Sequence, residues 1–136
     1  MKKILLIFPP YNLKEEFGSL SEVGNMQQPL GIGYLGSVLE EAGHQVKIID
    51  APPLTWGIKK IVAEAKKFSP KIIGISASTV DFNKSVKLAK ELKQSIKTPI
   101  IIGGPHVTAL PREVMSFSCF DVGVIGEGEE TVVELA

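Results

Sequence analysis

An open, doubly wound α/β fold on five parallel strands is the class this sequence predicts. Three observations carry it. Five short apolar runs recur along the chain, stretches with helical spacing separate them, and most connections are short. Three of the runs are near-continuous Ile, Leu and Val, the pattern of parallel strands covered on both faces. With right-handed crossovers these elements give a Rossmann-like, flavodoxin-like five-stranded sheet of order 2-1-3-4-5.

The first strand is KILLIF, Lys3–Phe8. Two lysines before an apolar run resemble a signal peptide. The run is only about five residues, however, and it stops at Pro9 and Pro10 with no small-residue cleavage site, so it reads as a strand. From Pro9 to Gln28 follow about twenty residues rich in Gly, Ser, Glu and Asn, a length expected to be functional or disordered. A helix over Leu30–Ala42 has Ile32, Leu35, Leu39 and Ala42 on one face and stops at Gly43. The second strand is QVKIID, Gln45–Asp50, and the next helix, Ile58–Phe68, carries Ile61, Val62, Ala65 and Phe68.

The third strand is KIIGIS, Lys71–Ser76, and its helix covers Lys84–Ile96 with Asp81 or Asn83 as N-cap. The fourth strand is PIIIGG, Pro99–Gly104, followed by a weak helix over Pro111–Phe117. The fifth is DVGVIG, Asp121–Gly126, and a last helix starts at Glu129 and runs to Ala136. That helix has run about two turns at Ala136 without a cap, so 1–136 is expected to be the N-terminal domain of a longer protein.

Composition excludes several function classes. Fifteen Lys plus Arg balance fifteen Asp plus Glu, which leaves no basic excess for nucleic acid. No apolar run approaches the roughly 18 residues of a membrane span. Cys119 is the single cysteine, which rules out an internal disulfide or a cysteine-built zinc or iron–sulfur site and reads as a small core residue. The expected compartment is the cytoplasm.

A ligand of such a sheet sits beyond the carboxyl ends of the strands, at the point where the strand order reverses. The strand 1 turn is Phe8-Pro9-Pro10-Tyr11, so it carries neither the G-x-G-x-x-G of a dinucleotide fold nor a P-loop. It also lacks the Ser/Thr-rich phosphate turn of a flavodoxin. Nor is it a phospho-receiver: there are no acids at that turn, and strand 3 ends in Ser76 rather than Asp.

What remains is a wall of small residues. Ser76, Ala77, Ser78 and Thr79 follow strand 3, and Gly103 and Gly104 end strand 4. Such a wall suits a large, flat or elongated ligand lying close to the backbone. Either turn taken alone could equally be Ser/Thr caps and a glycine at positive φ. The two side by side favour a ligand. Gly126, Glu127, Gly128 and Glu129 form a further turn, whose acids also suit a helix N-terminus.

The segments PLGIGYLGSVLEEAGHQVKIIDA, GISASTVDFNKSVKLAKELK, IIGGPHVTALPREV and DVGVIGEGEETVVEL together closely resemble the N-terminal cobalamin-binding domain of cobalamin-dependent radical SAM proteins. The resemblance spans essentially the whole chain, and GGPHVT followed about twenty residues later by GEGE is its most specific part. It implies cobalamin (vitamin B12) at the carboxyl edge, with the nucleotide tail along Ser76, Ser78, Thr79, Gly103 and Gly104. The corrin would lie over the loops at Pro9, Pro10, Tyr11 and Gly126–Glu129, with Pro105 and His106 beside it. A downstream barrel domain of the same polypeptide would carry a 4Fe–4S cluster and bind S-adenosylmethionine, with methyl transfer the commonest reaction. This chain alone would catalyse nothing.

One departure matters. Related cobalamin domains of mutases and methionine synthase carry D-x-H-x-x-G after strand 1, with a His beneath cobalt, and this chain has no such His there. A base-off cofactor without a protein His ligand is therefore expected. His106 could bond a corrin amide or phosphate, could ligate cobalt, or could be a turn residue packed on a neighbouring helix. His44 is read as structural, Asp50 as a loop cap rather than a ribose ligand, and Trp56 as packing. Two other readings stay open: a docking domain of the same architecture that no longer binds cobalamin, and a nucleotide-binding doubly wound domain.

Overall fold

The computed structural model describes residues 1–10 and 30–136. The long connection after the first strand, and Tyr11 with it, lie outside the described residues except for Pro9 and Pro10. Five parallel strands form one sheet in the order β2-β1-β3-β4-β5. They are β1 (Lys3–Phe8), β2 (Gln45–Asp50), β3 (Ile72–Ser76), β4 (Ile100–Gly103) and β5 (Val122–Gly123). The helices are α1 (Leu30–Glu41), α2 (Ala51–Leu54), α3 (Ile58–Phe68), α4 (Phe82–Ser95), α5 (Pro105–Ala109), α6 (Pro111–Met115) and α7 (Glu129–Leu135). The expected class and strand order are those observed.

Period-2 alternation divides the apolar strands between two cores. Leu5, Ile7, Ile73, Ile75, Ile100 and Ile102 face one side, where Ile61 and Ala65 of α3 and Leu88, Ala89 and Leu92 of α4 cover them. Ile4, Leu6, Ile72 and Ile101 face the other, under Ile32 and Leu39 of α1 and Val132 of α7. Burial on both faces explains why these strands read as unbroken apolar runs.

Several elements differ locally from expectation. Strand 5 shrinks to two residues: the Val124 amide still donates to the Ile102 carbonyl, and the chain then turns towards α7. The weak helix is α6, two residues shorter than expected, and an unexpected short helix, α5, precedes it, the two separated at Leu110, at φ −133°, before Pro111. A short helix, α2, follows Asp50 directly and places Pro52 in its first turn, where the missing amide costs nothing. Asp50 makes no side-chain cap bond there, which corrects the loop-cap reading, and burial pushes its carboxyl above the ordinary value. Asp81 sits before α4 as foreseen, yet its carboxylate accepts the Ser78 amide at 2.7 Å instead of capping the helix. Trp56 packs against the first core with the Lys60 ammonium 5.1 Å from its ring centre, and Cys119 is buried.

The short edge strand β5 is held at its start by one side chain. The Asp121 carboxylate accepts the Ile100 amide at 2.7 Å and pairs with Lys93, while the Asp121 amide donates to the Ile100 carbonyl. Burial works against this carboxylate, but the Lys93 ammonium and the Ile100 amide outweigh it and hold its pKa below the ordinary range. A depressed carboxyl pKa stabilises the fold above its unfolded value, about 3.9, and that contribution fades as pH falls through the folded value. Asp121→Asn keeps an acceptor for Ile100 and removes the charge. In urea unfolding it is expected to cost no more than about 1 kcal/mol at pH 7, the range of solvent-exposed pairs, and to match the parent near pH 2. An equal deficit at both pH values would contradict the assignment.

Candidate functional site

Side-chain size falls towards the carboxyl edge on one face of the sheet. Along that face β3 presents Ile72, Gly74 and Ser76, and β4 presents Ile101 and Gly103. The registers Ile101 with Gly74 and Gly103 with Ser76 put the small residues next to each other. On the other side of β3, Leu6 lies opposite Gly74. The helices above cannot follow this drop, so a cavity of about 420 Å³ opens beneath α1 and α7. Its walls are Ile4, Leu6 and Phe8 of β1, Gly31, Ile32 and Leu35 of α1, Val132 of α7, and Val124 after β5. Gly103, Gly104, Pro105, Gly126, Glu127, Gly128 and Glu129 complete it at the carboxyl edge. It lies across β1, β3 and β4, where the strand order reverses.

The two glycines of IIIGG serve different ends. A Cβ on Gly103 would meet only Val124, at 3.9 Å, so its protein neighbours do not require glycine; its missing side chain leaves the cavity open. Gly104 is a backbone requirement. It has φ 105° and ψ −179°, a region essentially closed to other residues, and a Cβ would lie 2.6 Å from the Ala77 carbonyl oxygen. That closeness lets the chains stay joined past the end of the sheet. The Ala77 amide donates to the Gly103 carbonyl at 2.9 Å, and the His106 amide donates to the Ala77 carbonyl at 3.3 Å.

His106 lies behind this junction, on the face away from the cavity. It is buried, its ring centre 4.3 Å from that of Phe82, and its Nδ1 shares a hydrogen bond of 3.1 Å with the Thr79 hydroxyl. Its Nε2 has no partner among the described residues. Two residues on, the Thr108 hydroxyl accepts the Gly126 amide at 2.9 Å and donates to the Gly104 carbonyl at 3.3 Å. The segment Gly104–Thr108 thus ties the turn after β3 to the turn after β5, and both turns border the cavity. His44 sits at the opposite edge, where its Nδ1 accepts the Lys2 amide.

Of the residues expected at a site, Ser76, Gly103, Gly104, Pro105, Gly126, Glu127, Gly128 and Glu129 border the cavity together. Pro9 and Pro10 follow Phe8 but lie off the wall, as do Ser78, Thr79 and His106. Glu129 also occupies the first turn of α7, where an acid suits the helix dipole. Gly74 and the apolar floor at Ile4, Leu6, Ile72 and Ile101 went unanticipated. A glycine inside the otherwise branched strand KIIGIS was the available signal, since strand glycines often mark a close approach.

A family model described as the B12 binding domain matches residues 19–136. The chain belongs to that family. Over 140 residues this B12 binding domain is 42% identical to an uncharacterised methyltransferase of Pyrococcus horikoshii, covering 98% of this chain and 28% of that protein. It is 29% identical over 149 residues to the cytidylyl-2-hydroxyethylphosphonate methyltransferase of Streptomyces wedmorensis, covering 96% of this chain and 27% of that protein. The domain therefore spans little more than a quarter of these relatives. In fold it matches the radical S-adenosylmethionine methyltransferase TsrM of Kitasatospora setae, solved with cobalamin and a 4Fe–4S cluster. The TM-score is 0.80 at 20% identity, covering 98% of this chain and 24% of that one.

The two glycines should separate experimentally. Gly104→Ala is expected to lose about 2 kcal/mol or more in urea unfolding, from its backbone conformation together with the Ala77 contact. Gly103→Ala is expected to be neutral or up to about 1 kcal/mol stabilising. Equal losses at both positions would refute the distinction.

Proposed function

We propose that this B12 binding domain holds cobalamin, base-off and without a protein histidine on cobalt, as the cofactor module of a radical SAM enzyme of methyltransferase type. The observation that carries the reading is the slot made by the fall from Ile72 through Gly74 to Ser76, beside Ile101 and Gly103. A cavity of about 420 Å³ lies within the range of small-molecule sites, roughly 300–1,000 Å³. The nucleotide tail would occupy this slot, and the corrin would then lie at the mouth against Pro105 and the Gly126–Glu129 turn. Ser76 would offer its hydroxyl to the tail, while Ser78, Thr79 and His106 would hold the adjoining turn in place. Pro9, Pro10 and Tyr11 would border the corrin from the β1 side.

The positions of the histidines support a cobalt without a protein histidine. The chain has two histidines. His44 is bonded at the amino edge, and His106 is buried behind the Gly104–Ala77 junction with Nδ1 on Thr79. Bound cobalamin would supply a cobalt that accepts and passes on a methyl group. The domain's own part would be to bind the tail, keep the base away from the metal and present the corrin to a neighbouring domain. That domain, downstream in the same polypeptide, would bring the 4Fe–4S cluster and S-adenosylmethionine, since Cys119 alone cannot hold a cluster. Relatives named as methyltransferases support the reaction type.

The test is retention of hydroxocobalamin through desalting. The expected result is a retained corrin with a base-off visible spectrum at pH 7. Gly103→Leu should weaken binding at least tenfold, about 1.4 kcal/mol, without lowering the melting temperature. A folded protein that releases all corrinoid would overturn the proposal and favour a docking domain that has lost its cofactor. A retained base-on spectrum would overturn its base-off part.

A further inference from the structure

Resting on the cobalamin reading, the slot's lining carries a second conclusion about which lower base the cofactor bears. From Ser76 at the carboxyl edge down to Ile72 the slot follows four residues of β3, roughly 13 Å at about 3.3 Å per residue. Over that depth the side chains are Ile4, Leu6, Ile72 and Ile101 from the sheet, with Leu35 and Val132 from the helices above. Among the described residues no hydroxyl, amide or charged side chain borders the lower part, because Ser76, Glu127 and Glu129 all stand at the carboxyl edge. The backbone offers little there either. β3 is paired on both sides, to β1 and to β4, so its amides and carbonyls are spent in the ladders.

A group seated at this floor must therefore have few polar atoms, since each donor or acceptor buried without a partner weakens binding. Corrinoids differ in this respect. A dimethylbenzimidazole base presents methylated carbon edges and one free ring nitrogen when base-off. An adenine base presents an exocyclic amine and several ring nitrogens, which this floor cannot satisfy. We infer that the slot is a selectivity filter for the lower base, accepting an apolar benzimidazole and discriminating against a purine. Gly103, whose side-chain position is open, would supply the width and the four floor residues the discrimination.

The experiment compares three corrinoids on the purified full-length protein by equilibrium competition: cobalamin, the otherwise identical adeninyl cobamide, and cobinamide, which lacks the nucleotide. Cobalamin is expected to bind at least tenfold more tightly than the adeninyl form and at least tenfold more tightly than cobinamide. Equal or tighter binding of the adeninyl form would overturn the filter while leaving cobalamin binding intact. Cobinamide binding as tightly as cobalamin would overturn it too, because the base would then gain nothing from the slot. Failure of all three to bind a folded protein would instead bring down the cobalamin reading, and the filter with it.

Discussion

Where β3 and β4 leave the sheet, Gly104 passes so close to Ala77 that a Cβ would lie 2.6 Å from the Ala77 carbonyl oxygen. Parallel strands normally splay once their ladder ends, as each chain turns towards its own helix. Here the ladder gains two further hydrogen bonds, through the Ala77 amide and carbonyl. Held together in this way, the two turns fix the positions of Ser76, Gly103 and Pro105. The Thr79–His106 and Thr108–Gly126 bonds extend the same junction across to the β5 turn. The mouth of the cavity is therefore framed by hydrogen bonds made outside the regular sheet.

The two faces of the sheet have different uses. On the face covered by α3 and α4, large residues run the whole length of the central strands: Leu5 and Ile7, Ile73 and Ile75, Ile100 and Ile102. That face is filled and supplies most of the core. The other face begins in the same way at the amino edge, with Ile4, Ile72 and Ile101, and then loses its side chains at Gly74 and Gly103. Leu6 already covers Gly74, where a Cβ would lie 2.8 Å from its Cδ2, whereas a side chain at Gly103 would bury more apolar surface, roughly 25 cal/mol for each Å², so the space left there is a stability the fold forgoes.

Much of this was legible in the sequence because it depends on local pattern. The three branched runs are parallel strands for the reason expected, namely burial on both faces. Helix Ile58–Phe68 begins and ends as its spacing indicates. The small residues after strands 3 and 4 drew notice because they sat at strand ends, where ligands of this fold bind. Less legible was anything that turned on which face a residue occupied relative to another strand. Gly74 reads as an isolated glycine until the register sets it between Leu6 and Ile101. His106, in a motif that looks ready to meet a ligand, is turned inward against Phe82.

The sequence by itself determined the fold class, the strand order and the edge at which a site would lie, since periodicity and handedness are properties of the chain read along its length. The tertiary structure alone decided the site's shape. Gly103 and Gly104 are adjacent and chemically identical, yet one is open space and the other is a backbone contact. Only the approach of Ala77 from a different strand tells them apart, and that distance is written nowhere in either turn.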